Sequence, residues 1–197
     1  MASRGNSHQP CPCGKSSDAY LINTDGSGKC YSCQKFFPSK EQQDQGVPDI
    51  DKTGYKYSFK GHRGISWRVF ERYGVTTASK EGQDLEIIAP YPNGATKHRT
   101  LRKKGFYSEG EMGAASCFGI DRFDSGGAVI TITEGELDAL SVNQITATPA
   151  ISVRSANFAK ADCIADWDYI NSFAKIVLCF DSDEPGQTAA RQVAALF

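Results

Sequence analysis

Two groups of carboxylic acids follow apolar, strand-like segments of this sequence. The segments are residues 128–133 (AVITIT) and 175–180 (KIVLCF). The acids after them are Glu134, Glu136 and Asp138 in the first case and Asp181, Asp183 and Glu184 in the second. Because parallel strands of an α/β sheet end at the same edge, where ligands bind, both groups are expected to converge there.

Such a convergence of carboxylates is unfavourable without cations. Their hard oxygen atoms select Mg²⁺ or Mn²⁺, and one or two such ions can orient a triphosphate for in-line attack at phosphorus. The alternative is that the acids cap helices. Glu136 and Glu184 suit that role as first-turn acids, whereas Asp181 and Asp183 do not need it.

A cationic segment precedes both acidic groups. Residues 97–104 (KHRTLRKK) carry five Lys or Arg side chains in eight positions. They suit the phosphates of a nucleotide or a template. A solvated hairpin edge that resists strand pairing is the alternative.

Two close pairs of cysteines predict a zinc site near the amino terminus. The four residues are Cys11 and Cys13, and Cys30 and Cys33. Four thiolates bind Zn²⁺ tetrahedrally and can fold a unit too small for its own core, although a loop-rich segment with free cysteines is the alternative. His8 is a candidate to replace one cysteine. The other three are expected to be ordinary buried side chains: Cys117, Cys163 and Cys179.

Composition limits the class of protein. The chain has 197 residues with 22 basic and 23 acidic side chains, so one or two domains are expected and bulk charge does not indicate a nucleic-acid partner. Seven cysteines, an odd number, argue against a secreted disulfide scaffold and favour a reducing cytoplasmic location. No apolar run approaches the roughly 18 residues that a membrane span requires.

The elements that must position these residues form an α/β fold. We predict a helix over 66–73, strands over 85–91 and 96–101 with a turn at 92–94, and strand–helix alternation with a parallel sheet from 128 onward. The strand at 175–180 is expected to be covered on both faces. The predicted divisions are a flexible amino terminus (1–10), a zinc ribbon-like unit (11–37), a linker (38–54), a basic α+β subdomain (55–127) and the parallel-sheet domain (128–197).

These motifs resemble a known family. ITEGELDAL (132–140) with FDSDEPG (180–186) resembles the Toprim fold of primases and topoisomerases. Together with the cysteine unit, the chain resembles the primase portion of bacteriophage T7-type helicase-primases. The resemblance includes CGKSSDA (13–19), TDG (24–26), CYSC (30–33), RGIS (63–66) and the cations ahead of Phe106.

The resemblance implies an enzyme, a DNA primase that makes short RNA primers on single-stranded DNA from ribonucleoside triphosphates. Implied Mg²⁺ or Mn²⁺ ligands are Glu134, Asp138, Asp181 and Asp183, beside the structural Zn²⁺. Implied catalytic residues are Glu134, which also assists in activating the primer hydroxyl, Asp181, Asp183 and Lys104. Implied nucleotide or template contacts are Lys97, Arg99 and Lys104, and Arg154 is expected to supply a further cation.

Four features depart from the family pattern. A CxC pair replaces the usual first CxxC, and Ser27 stands where the T7-type protein has a template-reading histidine. The segment 152–156 lacks the usual glycine. The resemblance also implies a further strand and acidic motif beyond Phe197, so the Toprim domain is expected to be incomplete at its carboxyl end.

The expected partners are the template, ribonucleoside triphosphates, a replicative helicase domain or protein, and a DNA polymerase. No membrane partner is expected, and the expected location is the cytoplasm of a phage-infected bacterium. Two other functions stay open at this point. One is a Toprim protein of another kind, a nuclease or a zinc-containing recombination-type DNA binder; the other is an inactive fragment that binds single-stranded DNA.

Overall fold

The computed structural model describes residues 9–12, 14, 17, 19–22, 28–30, 36–37, 51–103 and 105–197. The chain divides into two compact units, Met1–Asp51 and Lys52–Phe197. The finer divisions predicted above, among them the linker at 38–54, stay predictions. No helix in the described ranges is long and apolar enough to cross a membrane.

The first unit contains a small antiparallel sheet. Its strands are β1 (Tyr20–Ile22), β2 (Gly28–Cys30) and β3 (Phe36–Phe37), in that spatial order. A Cβ atom on Gly28 would lie 2.6 Å from the Leu21 carbonyl oxygen and from the Tyr20 ring, so the pairing of β1 with β2 requires glycine there.

A five-stranded antiparallel sheet opens the second unit. Its strands, in spatial order, are β4 (Lys56–Ser58), β5 (Thr76–Lys80), β6 (Gln83–Pro90), β7 (Thr96–Thr100) and β8 (Gly105–Glu109). The predicted strands at 85–91 and 96–101 correspond to β6 and β7. The predicted turn also forms, because the Gly94 amide donates to the Tyr91 carbonyl oxygen at 2.9 Å. Strands β4, β5 and β8 were not predicted from the sequence.

Helix α1 (Trp67–Tyr73) confirms the helix predicted over 66–73. It ends at Gly74, whose φ of 70° is the left-handed conformation that terminates many helices. Its buried face, Val69, Phe70 and Tyr73, packs in one core with Val75, Ile87 and Leu140. The Tyr73 hydroxyl donates to the Ala150 carbonyl oxygen at 2.7 Å, which joins this helix to the parallel sheet.

The parallel sheet confirms the α/β class. Its strands are β9 (Ile130–Thr133), β10 (Ala150–Ser152) and β11 (Ile176–Cys179), in the order β10-β9-β11. The helices after them are α2 (Glu136–Thr146), the short pair α3 (Ala159–Ala165) and α4 (Trp167–Ile170), and α5 (Glu184–Ala194). The second core packs under this sheet and includes Ile132, Ile151, Cys163, Ile170 and Val193.

Two sequence interpretations are corrected by the burial of this domain. Strand β9, at the centre of the three described strands, is fully buried, whereas β11 lies at one edge and its side chains are half-buried. The prediction that residues 175–180 are covered on both faces was therefore wrong. Cys117 and Cys163 are buried as expected, but Cys179 is exposed.

Candidate active site

A cleft of about 550 Å³ lies between the antiparallel sheet and the carboxyl edge of the parallel sheet. Strands β6, β7 and β8 form one wall, and the loops after β9, β10 and β11 form the other. Its charged lining residues are Arg63, Lys97, Arg99, Glu134, Glu136, Asp138, Arg154 and Asp181. The cleft therefore holds cations from the first wall opposite acids from the second.

Strand register brings the acids together. Cys179 of β11 pairs with Thr133 of β9 in parallel, so the residues that follow each strand emerge at the same edge. Glu134, Asp138 and Asp181 all line the cleft, as the two acidic motifs predict. Their assignment as metal ligands is not decided by this placement and stays a prediction.

Glu134 lies at the centre of the acidic wall. Its Oε2 atom is buried and has no hydrogen-bond partner among the described residues. Burial raises the pKa of Glu134, the neighbouring charges of Asp181, Asp183 and Asp138 raise it further, and the Asp181 backbone amide opposes them. A buried carboxylate with like charges around it is destabilised, so a cation bound here would be favoured.

Asp138 shares this environment, although its side chain is exposed in the cleft. Desolvation raises the pKa of Asp138, the charges of Asp181 and Glu136 add to the rise, and Arg99 lowers it. The charge of Asp181 therefore raises the pKa of both acids, and Arg99 of the opposite wall lowers that of Asp138.

Gly186 permits the close approach of the two acidic loops. A Cβ atom at this position would lie 2.4 Å from the Asp181 carbonyl oxygen and 3.0 Å from Glu134 Oε2. No side chain fits there without moving the backbone. Glycine is therefore required for the β11–α5 loop to reach the end of β9.

Asp183 has a structural task that the sequence interpretation did not give it. It is the N-cap residue of α5, and its Oδ1 accepts the Gly186 amide at 2.9 Å. The capping alternative, which the sequence interpretation considered unnecessary for Asp183, therefore holds for this residue. Glu184 is a first-turn acid of α5, as expected.

Glu136 is also a first-turn acid, of α2, but it does more than stabilise the helix. Its Oε1 accepts from the Tyr91 hydroxyl at 2.6 Å and from Lys97 Nζ at 2.7 Å. Glu136 therefore holds a cation of β7 against the amino terminus of α2.

The predicted cations have different environments. Lys97 also donates to the Arg154 carbonyl oxygen at 2.9 Å. Arg99 lies 5.3 Å from the centre of the Phe106 ring, and within the described part of the chain its guanidinium makes no hydrogen bond or ion pair. Lys104 lies outside the described residues. Among the described cations of β7 that line the cleft, Arg99 therefore has more donors available to a ligand than Lys97.

Arg154 lines the cleft but is largely committed to the protein. Its Nε donates to Asp162 Oδ1 at 3.0 Å and its Nη2 to the same atom at 2.5 Å. Its Nη1 donates to the Met112 and Gly113 carbonyl oxygens at 2.8 and 2.9 Å. Since a guanidinium has five N–H donors, four are already used. The geometry favours a structural role over the predicted ligand contact.

Two cleft residues were missed as site residues. Arg63 lines the cleft from a turn in which its own φ is 51°, an uncommon conformation outside glycine. Its RGIS segment was noticed only as part of the family pattern. Phe106 also lines the cleft; it was named only as the residue after the cations in the family pattern, because its position depends on the pairing of β7 with β8.

The donor set of the acidic wall fits a divalent ion in its chemistry. In the ranges that the structure describes, no group of three or more His, Cys, Asp or Glu side chains is close enough to hold a metal ion. The buried Oε2 of Glu134 nevertheless has no hydrogen-bond partner in the described part of the chain, which leaves one hard oxygen donor for a cation. Oxygen donors of this kind suit Mg²⁺ or Mn²⁺.

Known proteins show the same sequence features and fold. Residues 131–197 match the Toprim-like family model. The DNA helicase/primase of Enterobacteria phage T3 is 29% identical over 95% of this chain. The match spans 37% of that protein's length, so this chain covers well under half of its curated relative.

Solved structures extend the comparison. The primase fragment of the bacteriophage T7 primase-helicase is 30% identical, with a TM-score of 0.64 over 98% of this chain and 86% of that one. The T7 primase domains solved with the lagging-strand DNA polymerase, an RNA/DNA hybrid and dTTP are 32% identical, with a TM-score of 0.60 over 73% and 76% of the two chains. The DnaG catalytic core, 12% identical with a TM-score of 0.51 over 66% of this chain and 56% of its own, shares the fold. From its Toprim-like domain and its agreement with the T7 primase fragment along nearly its whole length, this chain belongs to the T7-type phage primase family.

Proposed function

We propose that this chain is a DNA primase that copies single-stranded DNA into short RNA from ribonucleoside triphosphates. One observation carries the proposal: acids and cations face each other across a single cleft. Nucleotidyl transfer needs both, because acids hold metal ions and cations neutralise the phosphates. The family membership of the chain supports the same conclusion.

In this reaction the 3′-hydroxyl of the growing RNA attacks the α-phosphorus of the next nucleotide. A P–O bond forms, pyrophosphate leaves, and the hydroxyl loses its proton. Glu134 is proposed to accept that proton, since Oε2 has no hydrogen-bond partner among the residues that the structure describes and the raised pKa of this carboxyl moves it toward the range of an efficient base. Lys97, Arg99 and Lys104 are proposed to hold the triphosphate or the template.

Toprim primases generally use divalent metal ions for catalysis. In this chain we assign Mg²⁺ or Mn²⁺ to four acids: Glu134, Asp138, Asp181 and Asp183. A bound ion neutralises phosphate charge and polarises the phosphoryl oxygens. Asp183 would serve two purposes, since one of its oxygens already caps α5.

The partners follow from the relatives. The T3 relative is a helicase/primase, and the T7 primase domains were solved with a DNA polymerase and an RNA/DNA hybrid. We propose that this chain likewise works with a replicative helicase and a DNA polymerase. We propose the cytoplasm of a phage-infected bacterium as its location.

Primer synthesis tests the function directly. The chain is incubated with a pool of single-stranded DNA templates, labelled ribonucleoside triphosphates and Mg²⁺. We expect short RNAs complementary to the templates, which disappear when EDTA removes the metal and return when Mg²⁺ is restored. Template binding without RNA would instead identify a binding fragment, and template cleavage would identify a nuclease.

For the amino-terminal unit we propose a structural Zn²⁺ bound by Cys11, Cys13, Cys30 and Cys33. Cys13 and Cys33 lie outside the described residues, as does the alternative ligand His8. Cys11 and Cys30 are buried in one cluster with Tyr20. Two thiols brought together from distant positions in so small a unit support a shared metal.

Metal content tests this site independently of activity. Cys30→Ser is expected to reduce bound zinc from about one ion per chain to near zero, because serine oxygen replaces a thiolate ligand poorly. The measurement is zinc analysis after purification without added metal. Cys179→Ser, which changes an exposed cysteine, is the matched control. Equal stoichiometric zinc in all three proteins would exclude Cys30 as a ligand.

A further inference from the structure

Phe106 is a large apolar side chain that the fold leaves half in solvent. It lies in β8 with 53% of its surface exposed, and it lines the cleft. Directly across the strand pair lies Arg99, and the two residues share a face of the sheet. That face is the one that carries the cations of the cleft.

Two cations lie near the Phe106 ring. The Arg99 guanidinium is 5.3 Å from the ring centre, and Lys97 Nζ is 5.9 Å from it. Contacts at such distances hold an aromatic ring by attraction between the cation and the π-electrons. The ring is thus positioned at the cationic wall without being buried by it.

Exposure of one aromatic residue is common and needs no explanation by itself. Tyr57, at 51%, is about as exposed on the same sheet but does not line the cleft. Phe106 differs because its ring, the cations and the acids all border the same space. Position, more than exposure, separates it from an ordinary surface residue.

We propose that Phe106 is the stacking platform for a nucleobase bound in this cleft. The inference rests on the proposed function and names a contact within the same site. A nucleotide joins a flat ring to a phosphate, and this wall offers a flat ring beside phosphate-binding cations. Aromatic side chains beside basic ones bind nucleic-acid bases in this way.

Stacking of this kind predicts little selectivity among bases, because every base has a π-face. A chain that copies a varied template must accept several nucleotides, so a tolerant contact suits the site. Selection among nucleotides would then depend on pairing with the template, and Phe106 would supply affinity. The base belongs either to the incoming nucleotide or to the template strand.

The variants for the test are Phe106→Ala, Phe106→Tyr and, as a matched control, Tyr57→Ala. Binding is measured by quenching of 2-aminopurine fluorescence in two separate arms. One arm uses 2-aminopurine riboside triphosphate, and the other uses single-stranded DNA containing 2-aminopurine. In parallel, KM and kcat are measured for each ribonucleotide in primer synthesis.

Phe106→Ala is expected to weaken binding by about 5- to 100-fold in the arm that contains the stacked base. Tyrosine should retain the quenching, and Tyr57→Ala should leave it unchanged. If Phe106→Ala binds the triphosphate probe more weakly and its KM rises by a similar factor for every ribonucleotide, the stacked base belongs to the incoming nucleotide. If it binds the DNA probe more weakly, the stacked base belongs to the template.

Quenching and KM that are the same in Phe106→Ala and the unchanged chain would overturn the inference, as would absence of quenching in both arms. The proposed function fails separately. A chain that makes no RNA but quenches through Phe106 would keep the stacking contact and lose the primase assignment. A chain that makes RNA with no dependence on Phe106 would keep the primase assignment and lose the stacking contact.

Discussion

Replacing Glu134 with glutamine is expected to reduce primer synthesis by roughly 10²- to 10⁴-fold, the usual effect of losing a positioned acid–base group. The amide has nearly the same shape as the carboxyl group but neither accepts the hydroxyl proton nor carries a charge for a metal ion. Binding of template DNA should change little, because the cations of the opposite wall remain.

The same substitution is expected to stabilise the protein when metal is absent. The pKa of Glu134 is raised above its ordinary 4.5 in the folded chain, so the folded state binds more protons than the unfolded state between these two values. Stability linked to this group is therefore greatest below about pH 4.5 and is lost as pH rises through the raised pKa. Glutamine does not ionise, so the variant does not lose this stability at neutral pH.

Thermal unfolding in EDTA across pH 4–8, followed with and without Mg²⁺, measures both effects. We expect Glu134→Gln to melt at a higher temperature than the unchanged chain at neutral pH when Mg²⁺ is absent. The difference should shrink toward pH 4. Glu184→Gln, at an exposed first-turn acid of α5, is the control. Full activity in Glu134→Gln would exclude this residue from catalysis.

The second large effect concerns Arg154. Arg154→Met is expected to destabilise the second unit by about 3 kcal/mol, because it leaves the fully buried Asp162 carboxylate without its cation. This value is at the lower end of the usual 3–5 kcal/mol for a broken buried pair. The reason is that Asp162 Oδ2 still accepts the Arg154 backbone amide at 2.9 Å. The Met112 and Gly113 carbonyl oxygens also lose their hydrogen bonds from Arg154.

Denaturant unfolding measures this loss, and a melting point roughly 6–12 °C lower should accompany it. Lys97→Met is the matched control, since it removes a cation from the same cleft whose partner Glu136 is less deeply buried. Should Arg154→Met instead retain its stability while KM for ribonucleotides rises, Arg154 would be a nucleotide contact, as the sequence alone suggested.

The sequence predicted the acidic wall well for a physical reason. Strand, acid and helix follow one another within a few residues, and parallel pairing then fixes where Glu134 and Asp181 emerge. The succession of these elements along the sequence was therefore enough to predict where the two acids lie. The helix at α1 and its stop at Gly74 were predictable on similarly local grounds.

Contacts between distant segments could not be predicted in this way. Arg154 looked like a free cation because its partners include Met112 and Gly113, about forty residues earlier in the chain. Phe106 was not predicted as a site residue because only the strand pairing shows that its ring lies in the cleft. Cys179 appeared buried because an apolar run does not reveal whether its strand is central or at an edge.

Lys97 joins the two walls of the cleft through a single ammonium group. It belongs to β7 of one wall, and it donates both to Glu136 and to the Arg154 carbonyl oxygen of the other. An ammonium group has three N–H donors, so an anion that enters the cleft meets one remaining donor and a positive charge already shared with Glu136. The same nitrogen atom can therefore bind a phosphate and still connect the two walls.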